Sequence, residues 1–124
     1  MQNFILSRIA SFRYAFHGWW YVLQTQRNAW IHALATTLVV VVGLWLGLPL
    51  RDWATLVLVI ALVWSAEFLN TAIEAVVDLA SPAHHPLARV GKDVGAAAVL
   101  IAASAAALVG LLILGPPLLE KILP

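Results

Sequence analysis

The chain lacks cysteine and is poor in charged residues, and both absences narrow its possible functions. None of its 124 residues is cysteine, which excludes disulfides, thiol catalysis and cysteine-ligated metals. Only 10% of the residues are charged, whereas soluble domains carry about 25%. The net charge is +1 and no dense basic cluster occurs, so we expect no nucleic-acid partner. The chain is 63% hydrophobic with a mean hydropathy of +0.94, as expected for an integral membrane protein.

Two short motifs are also missing. The first 26 residues contain neither an apolar core region nor a small-residue cleavage site, so we expect no signal peptide. No glycine-rich phosphate-binding loop occurs anywhere in the sequence. A nucleotide, if one binds, therefore needs another kind of site.

Three apolar stretches, at about 29–48, 53–79 and 94–114, each approach or exceed the ~20 residues needed to cross a ~30 Å hydrocarbon core. The run Gly115-Pro116-Pro117 predicts the end of the third stretch. Three spans enclose little interior, so we expect an oligomer.

Positions 4–24 precede the spans and carry apolar residues at spacings of three and four, with basic residues largely between them. This pattern predicts an amphipathic helix lying on the membrane surface, although a helix packed on protein fits equally well. We therefore predict an all-α integral membrane protein, with an N-terminal surface helix and three transmembrane helices in a single domain over residues 1–124.

The basic residues predict the orientation in the membrane. Arg8, Arg13 and Arg27 precede the first span, and Arg89 and Lys92 lie between the second and third. By the positive-inside rule, the N-terminus is cytoplasmic and the C-terminus lies outside.

A polar stripe follows one face of the second span. Glu67, Asn70, Glu74 and Asp78 fall within an arc of roughly 80° at about 100° per residue. An ionisable group inside a membrane costs about 2.5 kcal/mol or more and by default marks a functional site. Three carboxylates and one amide in register indicate a place where a cation or a phosphate is handled.

The depth of the stripe refines this interpretation. Counted from Trp53 at ~1.5 Å per residue, Glu67 lies roughly 21 Å into the membrane and Glu74 roughly 31 Å. Glu67 is then within the inner leaflet and Glu74 at the cytosolic surface. This arrangement suits a reaction between a lipid hydroxyl and a cytosolic phosphate donor. Helix–helix contacts or a small ion path remain the alternatives.

The four histidines are weaker signals. We expect His17 and His32 to mark interface positions. Adjacent residues on a turn rarely chelate one ion, so we expect His84 and His85 to be solvated or to face a nucleotide.

The pattern Glu-x-x-Asn-x-x-x-Glu-x-x-x-Asp from Glu67 to Asp78, together with Lys92-Asp93, resembles the signature of the small prokaryotic diacylglycerol kinase and undecaprenol kinase family. Matching segments at 11–18 and 27–32 extend the resemblance over nearly the whole chain. The two blocks together are highly specific, whereas either alone would be weak.

The resemblance implies a homotrimer of three-span subunits in the bacterial inner membrane. It implies transfer of the γ-phosphoryl group of ATP, with Mg²⁺, to a lipid alcohol, without a Walker motif. ATP would then occupy a composite site across a subunit interface. The acceptor is undecaprenol or diacylglycerol, and the segment from Asn28 to His32 favours undecaprenol.

The resemblance also assigns roles by position. Glu67 would be the general base on the lipid hydroxyl, Asn70 would help hold that substrate, and Glu74 would bind Mg²⁺. The nucleotide-binding positions that it implies are Tyr14, Gln26, Glu74, His84, His85, Lys92 and Asp93.

One departure concerns the metal. Many members of the family carry glutamate as a second metal ligand at the position of Gln26, where this chain offers only an amide oxygen. A weakened or non-catalytic homologue with the same fold is therefore one alternative. A small cation-conducting membrane protein that uses the carboxylate stripe is the other.

Overall fold

The computed structural model describes residues 2–81, 83 and 85–123, with the side chains of these residues except 2–7 and 9. Its four helices are α1 (Gln2–Thr25), α2 (Arg27–Leu46), α3 (Leu50–Ala80) and α4 (Pro86–Ile122). Helices α2, α3 and α4 are long and apolar enough to span a membrane. The prediction of an all-α chain with three such helices is therefore confirmed for the described residues.

A single extended residue separates α1 from α2. Gln26 has φ −104° and ψ 113°, and no side chain caps the helix that follows it. Its N–H still donates to the carbonyl of Val22 at 2.9 Å, as if α1 continued. Because only one residue links the two helices, both of them fix where the Gln26 side chain can reach.

The turn from α2 to α3 requires glycine. Gly47 has φ 70° and ψ 42°, in the left-handed region that side chains with a Cβ rarely adopt. The N–H groups of Gly47 and Leu48 donate to Leu44 and Gly43, which satisfies the last carbonyls of α2. Pro49, with the φ of −69° that its ring imposes, then immediately precedes the first residue of α3.

Helix α4 is longer than the apolar pattern predicts. The Nδ1 atom of His85 accepts a hydrogen bond from the Leu87 N–H at 3.2 Å, which caps the N-terminus. The helix then continues through Pro116 and Pro117 to Ile122, beyond the end predicted at Gly115. Each proline removes one N–H but keeps a helical φ, and membrane helices tolerate this loss.

The buried core lies where α1, α2 and α3 meet. Val22, Ala29 and Trp64 form its centre. The Trp19 ring lies 4.7 Å from the rings of both Trp64 and Phe68. Trp64 and Phe68 flank position 67 along α3, so this core holds the start of the polar stripe in place.

Candidate active site

Glu67 is the most deeply buried charged residue of the described chain. Its side chain is 1% exposed, and both carboxylate oxygens are buried without a hydrogen-bond partner among the described residues. The nearest basic atom is His32 Nε2, 3.7 Å from Glu67 Oε2. Burying an unpaired carboxylate costs several kcal/mol. Such a group is a candidate functional residue rather than a packing residue.

Asn70 lies one turn along α3 and is also buried. Its Nδ2 donates to Glu74 Oε1 at 3.4 Å, while its Oδ1 is buried with no partner in the described part of the chain. On α4, Gly95 faces this amide, and a Cβ at that position would overlap Asn70 Oδ1. The glycine therefore provides the space that the Asn70 side chain occupies.

Gln26 and Glu74 meet although 48 residues separate them. Gln26 Nε2 donates to Glu74 Oε2 at 3.0 Å. Glu74 thus accepts one amide on each oxygen, from Gln26 and from Asn70. The structure brings together the two residues that the sequence suggests as metal ligands, but the amide nitrogen of Gln26, not its oxygen, faces the carboxylate.

The described residues contain no group of three or more His, Cys, Asp or Glu side chains that could hold a metal ion. Magnesium sites, however, commonly use one or two carboxylates and complete their six ligands with water and substrate phosphates. A half-buried carboxylate beside a half-buried amide fits that chemistry. The donor set suits a metal that arrives with a nucleotide.

A groove of about 740 Å³ lies between the end of α3 and the start of α4. Lys92 Nζ forms an ion pair with Asp78 Oδ1, and Arg89 Nε lies 3.8 Å from Asp93 Oδ2. These four charged residues and His85 line the groove. It offers two cations and two carboxylates at the Asp78 end of the stripe, one turn beyond Glu74.

Tyr14 is not among the described residues that line this groove. It is 64% exposed on α1, and the Cζ of Arg13 lies 5.5 Å from its ring centre. His84 lies outside the described residues.

Sequence patterns do not single out His32. Its side chain is only 12% exposed and faces Glu67, a contact that the expectation of a membrane-interface position does not include. The one signal in the sequence is a histidine inside an otherwise apolar span. Its partner lies 35 residues away on another helix, and no spacing rule links them.

Comparisons with known proteins point to one family. Residues 13–114 match the model of a family described as "Prokaryotic diacylglycerol kinase". The chain is 42% identical to an undecaprenol kinase of Bacillus subtilis over 108 residues, which cover 87% of this chain and 88% of that protein. It is 46% identical to a diacylglycerol kinase of Synechocystis sp. over 113 residues, or 90% of this chain and 65% of that protein.

A diacylglycerol kinase of Escherichia coli is 41% identical over 83 residues, which cover 61% of this chain and 68% of that protein. The family match extends from α1 to α4 and includes Gln26, the whole polar stripe and the Lys92-Asp93 pair. The resemblance seen in the sequence is thus confirmed. The chain belongs to the prokaryotic diacylglycerol kinase family of membrane lipid kinases.

Proposed function

We propose that this chain transfers the γ-phosphoryl group of Mg-ATP to a membrane lipid alcohol, with undecaprenol favoured over diacylglycerol as the acceptor. The observation that carries the proposal is Glu67, a fully buried carboxylate on a helix long enough to span a membrane, with no hydrogen-bond partner among the described residues. A carboxylate in that setting can accept a proton from a hydroxyl that is itself dissolved in the membrane.

The preference for undecaprenol rests on two observations. The Bacillus subtilis relative is named an undecaprenol kinase and aligns over 88% of its length, whereas the diacylglycerol kinases of Synechocystis sp. and Escherichia coli align over 65% and 68%. The segment from Asn28 to His32 also favours that branch, and His32 lies beside Glu67.

In the proposed reaction, Glu67 takes the proton of the acceptor hydroxyl as its oxygen attacks the γ-phosphorus. Asn70 holds the acceptor near that carboxylate, and its Oδ1, which has no partner in the described part of the chain, is available for a hydroxyl. Phosphoryl transfer depends mainly on positioning and charge neutralisation, with the attacking and leaving oxygens roughly in line through the γ-phosphorus. Glu67 and Glu74 lie about two turns apart on one face of α3, which suits a base and a metal ligand that serve one reaction.

The nucleotide occupies the groove that Lys92, Asp93 and His85 line. Lys92 exchanges its ion pair with Asp78 for the transferring phosphate, and Asp93 contacts the nucleotide. Tyr14 and His84 complete the proposed ATP contacts, Tyr14 from an exposed position on α1.

Glu74 and Gln26 hold the metal. Their side chains lie within hydrogen-bond distance of each other, so both can reach one ion, Glu74 with its carboxylate and Gln26 with its amide oxygen. Magnesium, when bound, neutralises charge on the ATP phosphates. Because the described residues supply only one carboxylate here, we expect tight metal binding only together with ATP.

The functional unit is a homotrimer in the bacterial inner membrane, with residues 1–124 as one catalytic domain. Small side chains on α4, including Ala97, Ala98 and Ala105, are exposed in the single chain and would let another helix approach closely. Helix α1 lies on the membrane surface, because Phe12, Phe16 and Trp20 are exposed at spacings of four. The basic residues indicate a cytoplasmic N-terminus and an outer C-terminus.

The test is transfer of labelled γ-phosphate from ATP to a panel of lipid alcohols by the purified chain in bilayers. We expect Mg²⁺-dependent labelling of undecaprenol, and less labelling of diacylglycerol. Labelling of diacylglycerol alone would reject the proposed acceptor. Absence of labelling for every lipid, in protein that is folded and oligomeric, would reject kinase activity and favour the non-catalytic alternative.

A further inference from the structure

His32 and Glu67 are two buried polar side chains that face each other from different helices. His32 Nε2 lies 3.7 Å from Glu67 Oε2, and the side chains are 12% and 1% exposed. Neither the imidazole Nε2 nor either carboxylate oxygen has a hydrogen-bond partner among the described residues. Among the described residues, the Glu67 carboxylate is therefore the polar group that His32 Nε2 faces, and His32 Nε2 is the one that the carboxylate faces.

The surroundings hold both groups in place. The imidazole ring lies edge-on to Trp64, with ring centres 6.3 Å apart, and Trp64 Nε1 donates to Thr36 one turn beyond His32 on α2. On the other side, the backbone carbonyl of Glu67 accepts from Thr71 Oγ1 at 2.9 Å. These contacts restrain the His32 ring and the Glu67 backbone, and a small movement of the Glu67 side chain is enough to close the separation of 3.7 Å to a hydrogen bond. Such catalytic contacts are often long without substrate and shorten when it binds.

We propose that His32 is a positioning residue for Glu67, an inference that rests on the proposed kinase function. Its Nε2–H donates to Glu67 Oε2 and turns the other oxygen, Oε1, toward the acceptor hydroxyl. An unoriented carboxylate would present either oxygen in several rotamers. One fixed hydrogen bond on Oε2 leaves Oε1 as the atom that takes the proton.

The step balances without any change at His32. The acceptor oxygen forms a bond with the γ-phosphorus, and its proton passes to Glu67 Oε1. The bond from the γ-phosphorus to the bridging oxygen breaks, and its electron pair leaves with ADP. His32 keeps its Nε2–H throughout, and the hydrogen bond weakens as Glu67 becomes neutral.

Three substitutions at position 32 separate positioning from packing. His32→Gln keeps an N–H donor at nearly the reach of Nε2, whereas the shorter His32→Asn carries its amide near the position of Nδ1, and His32→Leu has no donor. We expect His32→Asn and His32→Leu to lower kcat for lipid phosphorylation by about 100-fold, within the range that a positioned base supplies. We expect His32→Gln to retain kcat within about tenfold of the wild type, and KM for ATP to stay within about twofold in all three. His17→Asn, at an exposed position on α1, is the matched control and should leave kcat unchanged.

The assay is steady-state transfer of labelled γ-phosphate to undecaprenol by the full chain in bilayers, with melting temperatures measured in parallel. Equal losses for His32→Gln and His32→Asn, or a kcat unchanged in His32→Asn, would overturn the proposal, because only the donor position distinguishes these variants. The Asn and Gln pair also keeps the test decisive if His32→Leu does not fold. Glu67→Gln separates the role of Glu67 as the base from the role of His32 as its positioning residue. If Glu67→Gln retains full activity, the proposed base is wrong, whereas loss in Glu67→Gln with an unaffected His32→Asn refutes only the role of His32.

Discussion

Replacing Gln26 with glutamate changes the charge at the contact that joins the α1–α2 junction to the polar stripe. In the structure, Gln26 Nε2 donates to Glu74 Oε2 at 3.0 Å. Gln26→Glu removes this donor and puts a second carboxylate at about the same distance from the first. The chain should then be less stable without metal and should need less metal for activity.

The magnitude follows from the separation. Two unit charges 3.0 Å apart repel by about 1.4 kcal/mol at the dielectric constant of water and by about 5.5 kcal/mol at an effective value of 20. Glu74 is half-buried, so the repulsion falls between these limits. A divalent cation between the two carboxylates removes it. Since about 1.4 kcal/mol corresponds to tenfold in affinity, the Mg²⁺ concentration for half-maximal activity should fall at least about tenfold.

The assay is lipid phosphorylation against free Mg²⁺ at saturating ATP, together with melting temperatures with and without Mg-ATP. We expect Gln26→Glu to melt below the wild type without metal and to recover with Mg-ATP. Gln24→Glu adds the same charge at an exposed position two residues away and should change neither quantity. An unchanged Mg²⁺ requirement in Gln26→Glu would refute the idea that this pair holds the metal.

Two further substitutions test neighbouring contacts. Gly95→Ala puts a Cβ into the space of Asn70 Oδ1, so it should cost about 1–3 kcal/mol of stability and lower transfer activity. The control is Gly110→Ala on the same helix, whose Cβ meets no atom within 4 Å and should change neither quantity. Equal melting temperatures for the two variants would contradict this account. Lys92→Met should lower kcat by about 100-fold. The melting temperature should hardly change, because an ion pair with the exposed Asp78 contributes only about 0–1 kcal/mol. A loss of stability that parallels the loss of activity would instead make Lys92 a structural residue.

Much of the architecture could be predicted because it depends on local patterns. Apolar runs of span length indicate α2, α3 and α4, and helical periodicity puts Glu67, Asn70 and Glu74 on one face. The structure buries the first two and links Asn70 to Glu74. Spacing on a single helix is sufficient for this part of the site.

The rest depends on packing between helices, which spacing does not encode. The contact between His32 and Glu67 needs the register of α2 against α3, set by the core around Trp64. The hydrogen bond to Glu74 orients the Gln26 amide, and the sequence does not predict that contact because Glu74 lies on another helix. The apolar pattern underestimates the length of α4, because Pro116 and Pro117 break a soluble helix more readily than a membrane helix.

The most direct test of the central claim is the rate of a single phosphoryl transfer in Glu67→Gln, compared with Glu120→Gln, which removes an exposed carboxylate from the same chain. ATP binding is measured separately on both variants. If Glu67 is the base, its substitution lowers the transfer rate by at least about 100-fold with ATP affinity within about twofold of the wild type, and Glu120→Gln changes neither. A transfer rate in Glu67→Gln within about threefold of the wild type would contradict the claim.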